Sequence, residues 1–252
     1  MKNNPFSAYG IEHLSPSSCN LFEASPAAFV LQKVFKKKGQ VGAAAHRGSA
    51  VETGIVHGLN NPQAPRDECI QVANDEFWRL NALSGDPRSE KERLSVGDMV
   101  NVGLNELAPY GTPTSCQGKI EHLLEELAVP IIGFYDFEWS NDKILIDLKT
   151  THALPSKISN KHARQVALYC KAQGGGVDGR ITYVTTKKSA TYRLENVENH
   201  VKALERIALT IQRFLSITSD PKELAAICVP DRDSFYFADD ETKQAAWDIW
   251  GI

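Results

Sequence analysis

The chain has 252 residues, 42% of them hydrophobic, enough to bury one large core with helical additions. A net charge of −3 excludes a globally basic surface, so any hold on nucleic acid has to come from local patches. Five scattered cysteines contain no C-x-x-C pair, which argues against zinc and fits free thiols in a reducing, cytoplasmic compartment.

In chain order, Ser15-Pro16 predicts a helix start, with Ser15 as cap and Pro16 at the first helical position. That helix runs to about residue 23. A second is expected over 26–37, closed by the basic turn Lys36-Lys37-Lys38 and by Gly39. A third is expected over 42–59, where small residues predict close packing against a neighbour. Amphipathic helices follow over 66–83 and 90–107, separated by Gly85-Asp86-Pro87. Pro109 to Pro113 marks the change to β structure. One or two strands are expected over 114–129, then two between Pro130 and Thr151, a helix over 157–173, and strands over 178–186 and 190–194. A long helix over 197–217 and one or two short ones complete the chain. The glycine run Gly174-Gly175-Gly176 follows a helix rather than opening one, so it reads as a turn and not a phosphate cradle.

No apolar run is long enough to span a membrane, and Met1-Lys2-Asn3-Asn4 leads into no signal-peptide core. The phosphate loop of a helicase motor, the serine-hydrolase elbow and the zincin motif are all missing from the sequence.

The densest chemistry lies in PIIGFYDFEWSNDKILIDLKTT, residues 130–151. It reads as two adjacent strands. In the second, Asp147 and Lys149 share one face, roughly 6.6 Å apart, while Ile146 and Leu148 point into a core. With Asp136 on the first strand, two carboxylates converge as a hard divalent cation such as Mg²⁺ requires. Lys149 can then hold an attacking water or a phosphate oxygen. Acid-x-lysine also occurs at Asp220-Pro221-Lys222 and Glu241-Thr242-Lys243. Proline excludes the first from a central strand, and the second opens a polar helix.

GFYDF, IDLKT and QVALY together resemble the PD-(D/E)xK nuclease superfamily, most closely its RecB-like and phage-exonuclease branch. The matching positions are Gly133 and Asp136, then Asp147 and Lys149, then Gln165 and Tyr169. The opening segment HLSPSSCNLFEASPAAFVLQ also resembles the branch, and the likeness covers residues 13–185. It implies an α/β fold: a mixed central β-sheet flanked by helices, the restriction-endonuclease-like core, with a helical N-terminal part. One nuclease domain is expected over 1–252, helical to 110, with its core over 111–195 and a helical part over 196–252.

The resemblance also implies site roles. The Leu148 carbonyl completes a metal set with Asp136 and Asp147. The segment RGSAVETG supplies Glu52 as a further ligand, with His46 or His57 as its substitute; a surface carboxylate or a partner for Arg47 is the competing reading. Gln165 and Tyr169 share a helix face that looks into the site. There Gln165 would hold the lysine or a phosphate oxygen, and Tyr169 would stack on or bond to substrate. Ala163, Val166, Ala167 and Cys170 would fill the buried face. Lys157, Lys161, Arg164 and Arg47 are the expected DNA contacts. Further lysine runs at 33–38 and 187–188 are candidate local patches for nucleic acid, each more often an ordinary solvated face; Glu121 and Glu125 read as solvent-facing strand residues, with the metal as the alternative for Glu121. Ser25 stands where an iron–sulfur member of the branch has cysteine, and only Cys228 lies near the C-terminus, so no cluster is expected.

The expected activity is Mg²⁺- or Mn²⁺-dependent hydrolysis of DNA by in-line attack of water. An exonuclease on linear double-stranded DNA is favoured, in phage or bacterial recombination or repair, with a single-strand-annealing recombinase and a homo-oligomer as candidate partners. An endonuclease of the same superfamily, a DNA-binding protein with a decayed site, and a hydrolase of another phosphoester stay open.

Overall fold

The computed structural model describes residues 4–251, so the reading of Met1, Lys2 and Asn3 lies outside it. The chain divides into two compact units. One comprises Val41–Lys119 and Phe134–Glu195. The other comprises the described parts of Met1–Gln40, Ile120–Gly133 and Asn196–Ile252.

Helices come first: α1 (Pro16–Ala24), α2 (Pro26–Phe29), α3 (Ala43–Asn60), α4 (Arg66–Asn81), α5 (Ser89–Leu94) and α6 (Val96–Leu107). The strands are β1 (Ser115–His122), β2 (Ile131–Trp139), β3 (Ile144–Thr150), β4 (Asp178–Val184) and β5 (Ser189–Arg193). Helix α7 (Asn160–Ala172) joins β3 to β4, and α8 (Val197–Leu215), α9 (Pro221–Ala226) and α10 (Asp240–Trp250) close the chain. The strands form one sheet in the order β1-β2-β3-β4-β5. β2 and β3 are antiparallel, with Phe137 opposite Ile146. β3 and β4 are parallel, as the intervening helix requires, with Asp147 opposite Ile181 and Lys149 opposite Tyr183. The hairpin β4–β5 is antiparallel. This is the mixed α/β architecture expected from the sequence.

In the larger unit one face of the sheet is dry. Phe137, Trp139, Ile146 and Leu148 pack with Val51 and Ile55 of α3, Phe77 of α4, and Met99, Val100 and Leu107 of α6. The strand alternation supplies that face and leaves Asp136 and Asp147 on the other. Helix α3 runs close to its neighbours because of Gly54: a Cβ there would lie 2.7 Å from the Cys69 carbonyl oxygen and 2.8 Å from Ala73 Cβ. The single helix expected over 90–107 is two, broken at Ser95, where Glu92 turns inward. The strand expected to run towards 129 stops at His122, ahead of the acidic turn Glu125-Glu126.

In the smaller unit Ser15 and Ser18 cap α1 reciprocally, each hydroxyl accepting from the other's backbone N–H at 3.1 and 2.8 Å. α2 passes into a π-helical turn, Val30–Val34, and ends short of residue 37, with Lys36 in the left-handed region at φ 59°. Phe22 meets both Phe29 and Phe214 edge-on at 5.3 Å. Gln212 ties α8 to the segment after β1, accepting from the Ala128 N–H at 2.7 Å and donating to the Glu126 carbonyl at 2.8 Å. No helix among the described residues is long and apolar enough to cross a membrane.

Candidate active site

Asp147 is fully buried, 0% exposed, on β3. Its Oδ2 lies 2.7 Å from Lys149 Nζ, and its Oδ1 makes no hydrogen bond. Asp136 reaches across from β2, where the paired register ends at Phe137–Ile146, and its Oδ2 accepts the Leu148 backbone N–H at 2.6 Å. Burial, and then the charges of Asp147 and Glu52, hold the Asp136 carboxyl well above its ordinary range. Burial raises Asp147 as well, against the pull of Lys149. Burial alone would lower Lys149, but Asp147, Asp136 and Glu52 outweigh it and keep the ammonium charged.

Glu52 projects from α3. Burial raises its carboxyl, and Gln117 Nε2 donates to its Oε1 at 2.9 Å. Gln117 was not foreseen. It sits in β1 with φ 53°, a left-handed conformation rare for a residue with a side chain and common at functional positions. Its partner is 65 residues away, so no local pattern marks it. His46 bonds through Nδ1 to Asn81 Oδ1 at 3.1 Å, and His57 through Nε2 to Glu68 at 2.8 Å. Of the three ligand candidates on α3, Glu52 is the one whose charge acts on Asp136 and Lys149.

On α7 the Gln165 amide donates to the Tyr169 hydroxyl at 2.7 Å. That hydroxyl also takes a backbone hydrogen bond from Phe134. Burial, then the negative charge of Asp147, raises the Tyr169 phenol. Tyr169 is 1% exposed, so the expected stacking on substrate is corrected: the ring has no open face to offer a base. Tyr183, beside Lys149 in the sheet, pairs with His162 Nδ1 at 2.8 Å. Burial, with Lys149 and Lys161 adding, pushes the His162 imidazole down to about 4. Neither Tyr183 nor His162 was foreseen from the sequence.

Two of the expected DNA contacts are corrected by burial. Arg47, 3% exposed, is ion-paired to Glu92 of α5 and lies 3.3 Å from His152 Nε2. Arg164 is 6% exposed on α7. Lys157 and Lys161 remain on the surface, as do Glu121 and Glu125.

Among the described residues, no three His, Cys, Asp and Glu side chains gather closely enough as they stand to enclose a metal ion. The donors still fit a hard cation in kind. They are all oxygens, they come from adjacent strands and one helix, and one buried oxygen of Asp147 is unbonded.

The family model of the PD-(D/E)XK nuclease superfamily matches residues 13–235. The chain belongs to this superfamily. The match extends beyond the last strand of the nuclease into α8 and α9. A solved structure described as "Crystal structure of SSO0001" superposes on the nuclease with a TM-score of 0.36 and 16% identity, covering 66% of this chain and 75% of that one. A superposition that loose adds nothing to the assignment. A search of curated proteins gives no match.

Proposed function

We propose that this chain is a Mg²⁺- or Mn²⁺-dependent deoxyribonuclease that works as an exonuclease on linear double-stranded DNA. The observation that carries the reading is Asp147, a fully buried carboxylate with an unbonded oxygen, whose neighbours are Lys149, Asp136 and Glu52. Three carboxylates face one lysine. Buried charge of that kind is costly unless further positive charge is held there.

Glu52, Asp136, Asp147 and the Leu148 carbonyl would hold the cation, which when bound supplies positive charge to the phosphate oxygens. Lys149, kept charged by its acidic neighbours, holds the attacking water or a phosphate oxygen and offsets charge that grows on the phosphate. Gln117 orients Glu52. The Gln165–Tyr169 pair closes the site from behind and keeps water from the buried side of the carboxylates. The preference for ends, a role in phage or bacterial recombination or repair, an annealing recombinase as partner and a homo-oligomer all rest on the resemblance of the sequence motifs.

The test is incubation with end-labelled linear DNA and covalently closed circles, in Mg²⁺, Mn²⁺ or EDTA, beside Lys149→Ala. Cation-dependent loss of linear DNA alone, abolished by the substitution, is expected. Cutting of closed circles would make the protein an endonuclease. No cutting of any DNA with either cation would leave a DNA-binding protein with a silent site.

A further inference from the structure

Phe134 lies two residues before Asp136 on β2, so the two share a strand face about 6.6 Å apart. Its neighbours on the alternate face, Tyr135 and Phe137, are buried, whereas Phe134 is 56% exposed. β2 is an inner strand, between β1 and β3. A large apolar side chain on an inner strand ordinarily lies beneath a helix. Leaving it open forgoes the stabilisation that burying its apolar surface would bring. The ring is also held on fixed backbone, because the Tyr169 hydroxyl takes the Phe134 backbone hydrogen bond. An uncovered aromatic ring on a tethered stretch of backbone thus stands on the same face as the acidic pair.

We propose that Phe134 stacks on a nucleobase next to the phosphate engaged by Asp136, Asp147 and Lys149, and so selects DNA whose terminal bases are unpaired. The inference rests on the nuclease reading above. A nucleobase within a duplex has both faces covered by its neighbours; only a frayed or single-stranded base offers a free face to an aromatic side chain. Every base has such a face, so the contact reads the state of the strand and not its sequence.

The test measures binding of labelled oligodeoxynucleotides by fluorescence anisotropy, with Ca²⁺ replacing Mg²⁺ so that the strands stay intact. The unsubstituted protein, Phe134→Ala and Phe134→Trp are compared, with an abasic site moved one nucleotide at a time along a single strand. Phe134→Ala is expected to weaken binding about 5- to 100-fold and Phe134→Trp to restore it. At one position the abasic site costs the unsubstituted protein a similar factor and costs Phe134→Ala nothing further. A duplex with splayed ends binds the unsubstituted protein more tightly than a blunt one, and the alanine variant narrows that difference. Binding by Phe134→Ala within twofold of the unsubstituted protein, or an abasic profile shared by both, overturns the proposal. Cleavage of the same strands in Mg²⁺ separates the two failures. If the unsubstituted protein cuts DNA and Phe134→Ala binds equally well, stacking alone is wrong. If it neither binds nor cuts DNA, the nuclease reading falls and the stacking with it.

Discussion

Asp136 sits among like charges on a strand, with its carboxyl held well above the ordinary range by desolvation and by Asp147 and Glu52. Such a site trades stability for function. Asp136→Asn removes the charge and keeps an oxygen for the Leu148 amide. In EDTA at pH 8 it is expected to melt higher than the unsubstituted protein, by about 2–4 °C for each kcal/mol of repulsion relieved. Mg²⁺ should raise the midpoint of the unsubstituted protein only. A lower midpoint in EDTA would show that the charge is not a burden. His162 makes a second prediction, of opposite sign with respect to acid. Its folded value is about 4 against an ordinary 6.5, first because it is buried and then because Lys149 and Lys161 oppose its charge. The unfolded chain therefore binds more protons between those values, and stability is lost as pH falls through that window. Between pH 7 and pH 5 the contribution is about 1–2 kcal/mol. Urea midpoints at the two pH values should fall further for the unsubstituted protein than for His162→Gln; equal falls would remove His162 as the cause.

Helix α3 is braced against α5 and the end of β3 by Arg47, which is paired to Glu92 and has its Nη2 3.4 Å from Thr150 Oγ1. Glu92→Ala leaves a buried guanidinium without its carboxylate and should cost about 3–5 kcal/mol in urea unfolding. Arg47→Met with Glu92→Leu should cost much less. If the double variant is as unstable as the single, the pair contributes more than charge compensation. That brace explains which parts of the site were legible in the sequence. The strand alternation needs only neighbouring residues, so the sequence alone sets Asp147 and Lys149 on one face and Ile146 and Leu148 on the other. Arg47 reads locally as a cation beside the acidic cluster, because its true partner lies 45 residues on. Gln117 and Glu52 are related in the same way across 65 residues. The end of α2 was hidden for another reason: Val30–Val34 carries an ordinary helical pattern, and a π-helical turn leaves no mark in it.

On the scale of the whole molecule the charge is −3, and two of the four expected phosphate contacts are buried. DNA binding should therefore depend on few cations. Lys157→Ala is expected to weaken binding to every sequence alike and to flatten the plot of log K against log salt by about 0.9. An unchanged slope would remove Lys157 from the interface. The bond from the Leu148 amide to Asp136 has a consequence for descent. A lineage released from the need to cut DNA can replace Asp136 with asparagine, lose its chemistry and keep the tie between β2 and β3. Replacement by alanine discards both at once. Among distant descendants, silenced copies of this chain should carry asparagine at that position far more often than any apolar residue, and a sequence survey could recognise a retired nuclease by that single atom.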